Sequence, residues 1–214
     1  MNIYTVPANY RPHNKLLQGK ILLVTGAGDG IGRAAALCYA RYGATVILLG
    51  RTGSKLEAVY DEIEASGGPK PALVELDLAT AGEENYINLG SGLAGEFEHL
   101  DGLLHNAGTL GERRPIESAG YSAWQEVMQV NVNAQFLLTR HLLPLLKAAH
   151  NASIIFTSSG VGRTGKAYWG AYSVSKFGIE GLSQILAAEN SHLPLRSNCL
   201  NPGPVRTKMR LEAY

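Results

Sequence analysis

Cysteine is nearly absent from this 214-residue chain, which carries only Cys38 and Cys199. The two lie far apart and form neither a CxxC pair nor a zinc-ligand spacing, which excludes a disulfide framework and offers no metal site. The expectation is two buried thiols in a reducing compartment. An excess of one charge is also missing, with Lys+Arg 19 against Asp+Glu 18. The chain therefore has no electrostatic footprint for nucleic acid or for an anionic membrane surface. No apolar run approaches the length of a membrane span. The polar, proline-broken stretch Met1 to Pro12 has no apolar signal-peptide core. These absences leave a cytoplasmic protein as the expectation. Its length fits one domain over residues 1–214, with residues 1–15 as an N-terminal arm.

What is present is glycine, 25 residues of it, placed between short β-branched runs and longer amphipathic segments. Lys20 to Thr25, Ala44 to Leu49, Pro71 to Asp77, Leu100 to His105, Ser153 to Thr157 and Leu195 to Leu200 read as strands. Their apolar continuity is what parallel strands covered on both faces require. Ile31 to Tyr42, closed by Gly43, reads as a helix, as do Ser54 to Ala65, about Gly82 to Phe97, and Ala171 to Ser191. A longer segment, about Tyr121 to Ala149, is helical by periodicity. Its polar Asn131 and Asn133 predict a bend or split. Strand–helix alternation of this kind predicts an α/β fold: a single Rossmann-like, doubly wound parallel sheet with helices on both faces.

Between the first strand and the first helix lies Thr25-Gly26-Ala27-Gly28-Asp29-Gly30-Ile31-Gly32. Glycine lets the backbone approach a phosphate there, and the helix N-terminus offers free N–H groups and a positive dipole end. The GxGxxG fingerprint does not fit, because Ile31 or Arg33 stands where its last glycine should be. The spacing present is Thr-Gly-x-x-x-Gly-x-Gly through Gly26, Gly30 and Gly32. A tight strand–helix connection needs no more than this, but the position is where α/β domains bind dinucleotides. An NAD site usually has a carboxylate at the end of the second strand. Here the sequence reads Leu49-Gly50-Arg51-Thr52. Arg51 is available for a 2′-phosphate, so NADP(H) is favoured and NAD(H) is possible. Asp29, a negative group inside the turn, is expected to point away from the cofactor.

Tyr172 and Lys176, four residues apart, lie one above the other on a helix face. A phenol ionises near pH 10, and a neighbouring ammonium favours its phenolate. The pair is a candidate general acid/base; the same spacing also fits an ordinary solvated pair.

With the glycine turn, His105-Asn106-Ala107-Gly108 after the fourth strand, and Tyr172-x-x-x-Lys176, the chain resembles the classical short-chain dehydrogenases/reductases. Within them it resembles the bacterial YciK-like oxidoreductases. The likeness runs from about Leu16 to Arg210. His105 departs from the commoner asparagine and reads as a packing variant. The resemblance implies reversible hydride transfer between a nicotinamide and a small-molecule carbonyl or secondary alcohol. It implies catalytic roles for Asn131, Ser159, Tyr172 and Lys176. Ser159 is selected over Ser158 by the family's spacing of thirteen residues before the tyrosine. Lys176 would both bond the nicotinamide ribose and lower the phenol's pKa. The cofactor would be lined by Gly26, Gly28, Gly30, Ile31, Gly32, Arg51, Asp77, Asn106, Ala107 and Gly108. The segment Pro202, Gly203, Val205 and Thr207 would border the nicotinamide. A homodimer or homotetramer through the two longest helical segments is implied as well.

Other readings have less support. A catalytically silent nucleotide-binding regulator or scaffold would keep the fold but need not keep all four catalytic positions. A hydrolase on Ser158 or Ser159 lacks the GxSxG elbow, and a dehydratase or epimerase relative would generally carry a larger C-terminal region. The family continues beyond the Pro-Gly segment, whereas this sequence stops at Tyr214. The substrate-covering region is therefore expected to be short or missing. The loop Gly111 to Ser118, with Arg113 and Arg114, and the segment Gly160 to Gly170, with Tyr168 and Trp169, are expected to flank the pocket.

Overall fold

The computed structural model describes Thr5, Pro7 and residues 9–212, so part of the N-terminal arm lies outside the described residues. The apolar runs form β1 (Ile21–Thr25), β2 (Thr45–Gly50), β3 (Ala72–Glu75), β4 (Gly102–His105), β5 (Ala152–Thr157) and β6 (Leu195–Leu200). Every pairing is parallel, and the order is β3-β2-β1-β4-β5-β6. This is the Rossmann-like order. The helices are α1 (Gly30–Arg41), α2 (Gly53–Ala65), α3 (Glu83–Glu96), α4 (Tyr121–Met128), α5 (Ala134–Ala148), α6 (Gly170–Glu189) and the short α7 (Lys208–Glu212).

Successive strand residues face opposite sides of the sheet. Leu23, Ile47, Leu49, Leu103, Ile154 and Phe156 pack with Tyr86 of α3, Leu138 and Leu142 of α5, and Ile179 of α6. Val24, Val46, Leu48 and Leu104 pack on the other side with Ala36 and Ala40 of α1 and Leu56, Val59 and Ile63 of α2. Both faces of the sheet are thus covered by helices. Each such aliphatic side chain contributes about 1.5–3 kcal/mol by leaving water.

The long helical segment splits where its asparagines predict. A π-helical turn, Gln129–Asn133, joins α4 to α5. The turn separates the two asparagines: Asn131 is fully buried, while Asn133 is exposed and donates to the Gln129 side chain at 3.2 Å. Pro144 sits inside α5 on an exposed position.

Two expectations need correction. Leu76 N–H still donates to Gly50 O, but the strand ends at Glu75. Asp77 instead stands in the following turn, where its carboxylate accepts Ala79 N–H at 3.0 Å. Cys38 and Cys199 are half-buried rather than buried, and both thiols are free. No helix among the described residues is long and apolar enough to cross a membrane.

Candidate active site

The strand order reverses between β1 and β4, and the C-terminal ends of these strands are clasped by one side chain. Thr25 Oγ1 accepts Asn106 N–H and Ala107 N–H, each at 2.9 Å, and donates to Leu104 O at 3.3 Å. Asn106 Nδ2 in turn donates to Thr25 O at 3.2 Å. The chain then turns sharply at Gly26, whose φ of 66° lies in the left-handed region that favours glycine. A Cβ on Gly26 would lie 3.1 Å from Ala107 Cα. Gly32 packs closer still, with its hypothetical Cβ 2.1 Å from Gly26 O. The glycine turn therefore closes against the end of β4 and leaves its outer side to an open cleft.

Two adjoining clefts run along this edge of the sheet. One, of about 340 Å³, is lined by Gly26, Gly28, Arg51, Asp77, Ala107 and Gly108 among others. The second, of about 720 Å³, shares Gly26, Ala107 and Gly108 with it. It adds Gly30, Ile31, Asn106, Ser159, Tyr172, Lys176, Pro202, Gly203, Val205 and Thr207. Of the catalytic and cofactor-binding positions expected from the sequence, Gly32 and Asn131 line neither cleft and lie behind the walls.

Asn131 holds that wall in place. Its Oδ1 accepts Thr109 N–H at 2.8 Å, and its Nδ2 donates to Thr109 O at 2.9 Å and to Ser175 Oγ at 3.0 Å. Ser175 Oγ donates to Tyr172 O at 2.7 Å. A Cβ on Gly108 would sit 3.2 Å from Asn131 Oδ1 and 3.8 Å from Lys176 Nζ. The β4 loop, the π-helical turn and α6 thus converge on one spot.

Tyr172 and Lys176 both face the larger cleft from the first turns of α6. The ammonium stands 5.4 Å from the centre of the phenol ring, and it donates to Thr157 O at 2.7 Å. Ser159 lines the same cleft. Burial raises the Tyr172 pKa above its ordinary value, and the Ser159 side chain acts in the opposite direction. Burial also lowers the Lys176 ammonium to about 8. The expected depression of the phenol by the ammonium is therefore not what the fold produces. Desolvation, which opposes charge on either group, is the largest cause of both shifts. Ser158, by contrast, is buried and its hydroxyl has no partner among the described residues.

Asp29 does not turn away from the clefts. It lines both, caps α1 by accepting Gly30 N–H at 2.7 Å, and pairs with Lys55 Nζ at 2.6 Å. Lys55, in the first turn of α2 and announced by no sequence motif, lines the same cleft as Arg51. Trp169 proves more central than its neighbour. It is buried against Leu110 and Tyr172, with the Arg113 guanidinium 4.7 Å and the Lys166 ammonium 5.8 Å from its ring. Tyr168 is exposed and lines neither cleft. Arg114 pairs with Glu112 at 3.5 Å. His105 is buried, stacked on Phe156 and bonded to Thr139, and burial lowers its pKa to about 3. It is a neutral packing residue, as expected.

Comparison with known proteins agrees with this geometry. The family model for short chain dehydrogenases matches residues 20–214. The chain is 52% identical over 206 residues to the uncharacterized oxidoreductase YciK of Escherichia coli (strain K12), covering 96% of this chain and 81% of that one. A short chain dehydrogenase from Shigella flexneri 2a, solved with NADP, superposes with a TM-score of 0.92 at 51% identity, over 94% of this chain and 84% of that one. Another from Escherichia coli CFT073, solved with NADPH, gives a TM-score of 0.92 at 52% identity, over 95% and 84%. The chain belongs to the short-chain dehydrogenase/reductase family and is an NAD(P)-dependent oxidoreductase.

Proposed function

We propose that the chain is an NADP(H)-preferring enzyme that interconverts a carbonyl and a secondary alcohol, with Tyr172 as general acid/base. The observation that carries this reading is the convergence of Ser159 and Tyr172 in one cleft, with the Lys176 ammonium 5.4 Å from the centre of the phenol ring. All three line the cleft that the glycine turn opens. The nucleotide, when bound, supplies or accepts the hydride. Ser159 holds the substrate oxygen and orients Tyr172, which protonates that oxygen in reduction and takes the proton back in oxidation. Lys176 orients the ribose, and Asn131 keeps the α4–α5 junction in register beside it as part of the proton outlet.

Gly26, Gly28, Gly30, Ile31 and Gly32 would hold the pyrophosphate at the start of α1. Arg51, which makes no ion pair among the described residues, would meet the 2′-phosphate with Lys55 close by. Asp77, Asn106, Ala107 and Gly108 would line the adenine side and the cleft floor. Pro202, Gly203, Val205 and Thr207 would border the nicotinamide. The relatives solved with NADP and NADPH support the cofactor assignment.

Exposed Phe136 on α5 and Val174, Phe177 and Ile185 on α6 support a homodimer or homotetramer through these helices. Light scattering on the purified protein tests that assembly. The free thiols fit a cytoplasmic setting. The mechanism is tested with Tyr172→Phe. Turnover is expected to fall by about 10²–10⁴-fold or more, with NADPH affinity retained. Near-wild-type turnover in this variant would remove Tyr172 from the mechanism.

A further inference from the structure

Glu180 lies one turn beyond Lys176 on α6 and is 5% exposed. A carboxylate at that depth is unfavourable unless it is paired. Its partner comes from another element: Arg163 Nε donates to Glu180 Oε1 at 3.2 Å. Arg163 directly follows the short turn Gly160–Gly162, which opens at Ser159. That turn is fastened to α6 at two further points. Ser173 Oγ donates to Val161 O at 2.5 Å. Gly162 lies so close that an added Cβ would sit 2.9 Å from Lys176 Cβ and 3.1 Å from its carbonyl carbon. Ser173, Lys176 and Glu180 follow the three- and four-residue spacing of a single helix face. The Ser159 turn is thus fastened along the face that begins beside Tyr172.

We propose that Arg163 and Glu180 form a positioning pair that clamps the Ser159 turn onto α6 and so keeps Ser159 in place beside Tyr172 in the larger cleft. This rests on the roles proposed above for Ser159 and Tyr172. Neither Arg163 nor Glu180 lines either cleft, so the pair acts on the reaction only through the turn it holds. A pair with one buried end suits this purpose: Glu180 is buried while the Arg163 side chain is 34% exposed. Displacing Arg163 therefore leaves the Glu180 carboxylate uncompensated in the interior, which penalises slippage of the turn. The phenol's other surroundings are Trp169 at 5.8 Å, the Lys176 ammonium on its own helix, and the Arg113 and Lys166 cations beyond the indole. None of these is fastened to the turn through Glu180.

The test compares wild type with Glu180→Gln, Arg163→Met and Arg163→Lys, each with and without Ser159→Ala. NADPH-dependent reduction of 4-nitrobenzaldehyde and amide hydrogen exchange by mass spectrometry are measured. In Glu180→Gln and Arg163→Met, exchange should accelerate in the peptide covering 159–163 and not in the glycine turn. The value of kcat should fall about 10- to 100-fold, as for a small misplacement of a reacting group, while NADPH affinity stays within about twofold. The fall should vanish in the Ser159→Ala background, and Arg163→Lys should restore part of it. The double replacement Arg163→Met with Glu180→Met removes both charges and leaves neither buried alone. Because the buried Glu180 carboxylate is gone, it should fold and still show the faster local exchange. Unchanged exchange at 159–163, or an equal loss of kcat with and without Ser159, overturns the clamp. If the wild type reduces no aldehyde, the proposed reaction is at fault, and the exchange pattern alone decides the clamp.

Discussion

Gly32→Ala adds one methyl group at the tightest contact in the glycine turn. The new Cβ would lie 2.1 Å from Gly26 O, 2.7 Å from Gly26 C and 2.6 Å from Asn106 Nδ2. Ordinary contact begins at 3.4 Å, so α1 must retreat from the turn by about 1.3 Å, the difference from 2.1 Å. The obstructing atoms cannot swing aside. Two are backbone, and the third belongs to an amide held by Thr25. Overpacking of this kind costs about 1–3 kcal/mol, and here the upper end applies. The better helix propensity of alanine returns up to about 1 kcal/mol, leaving a net loss of about 2 kcal/mol. For a chain of this length, that lowers the melting temperature by about 4–8 °C. Because the retreat displaces the N-terminus of α1, NADPH affinity should fall about tenfold or more, as a misplacement of this size implies. Gly92→Ala is the opposite control. It lies exposed in α3 with no heavy atom within 4 Å of its added Cβ, so propensity alone acts and stability should rise by up to about 1 kcal/mol. Thermal melts and NADPH fluorescence titrations on the three proteins decide the matter. If Gly32→Ala melts with wild type and binds NADPH normally, the steric reading of the turn is wrong.

Two further outcomes follow from the charges around the clefts. Arg51→Ala should lower the NADP(H)-to-NAD(H) affinity ratio by about tenfold, in the range of one lost charge-assisted contact; an unchanged ratio in paired titrations removes Arg51 from the preference. Lys176 has its pKa lowered by burial to about 8 from 10.5, so between those values the unfolded chain holds a proton that the folded chain has released. The stability penalty is therefore fully present below pH 8 and is relieved as the pH rises from about 8 to 10.5. The gap corresponds to about 3 kcal/mol. Lys176→Met should lack this rise, so urea midpoints at pH 7.5 and pH 10 should differ less in the variant than in wild type. Parallel midpoints in the two proteins would contradict the buried-ammonium reading.

The parallel sheet was legible because parallel strands covered on both faces must be apolar throughout, and the runs around Leu23, Ile47 and Leu103 satisfy that requirement, whereas the strand order came only from the structure. Boundaries were legible where a residue type enforces them. Gly43, with φ of 96° just after α1, is one such stop, and the paired asparagines of the π-helical turn are another. The end of β3 was not legible, because Leu76 and Asp77 continue the apolar–acidic alternation and the strand is broken by a turn in which the Asp77 carboxylate accepts Ala79 N–H and its carbonyl accepts Thr80 and Ala81 N–H. Among the residues that a local signal singled out, Gly26, Arg51, Ser159 and Tyr172 all line the clefts. What the sequence concealed were partners far along the chain. Thr25 clasps the β4 end across 81 positions, Lys55 meets Asp29 across 26, and Arg163 meets Glu180 across 17.

The electrostatics of Tyr172 and Lys176 show why spacing alone misjudges a pair. Four residues along a helix fix how close two side chains can come, but not how deep they lie. A solvated phenol–ammonium pair would lower the phenol and raise the amine. In the folded chain both shifts run the other way, because burial penalises charge on each group and the ammonium is directed to the Thr157 carbonyl rather than to the phenol oxygen. Ser159 is the neighbour that pulls the phenol downward. Burial thus sets the direction of the tyrosine's shift and Ser159 opposes it, so the proposed clamp on the Ser159 turn would act on Tyr172 through the one neighbour that favours its phenolate.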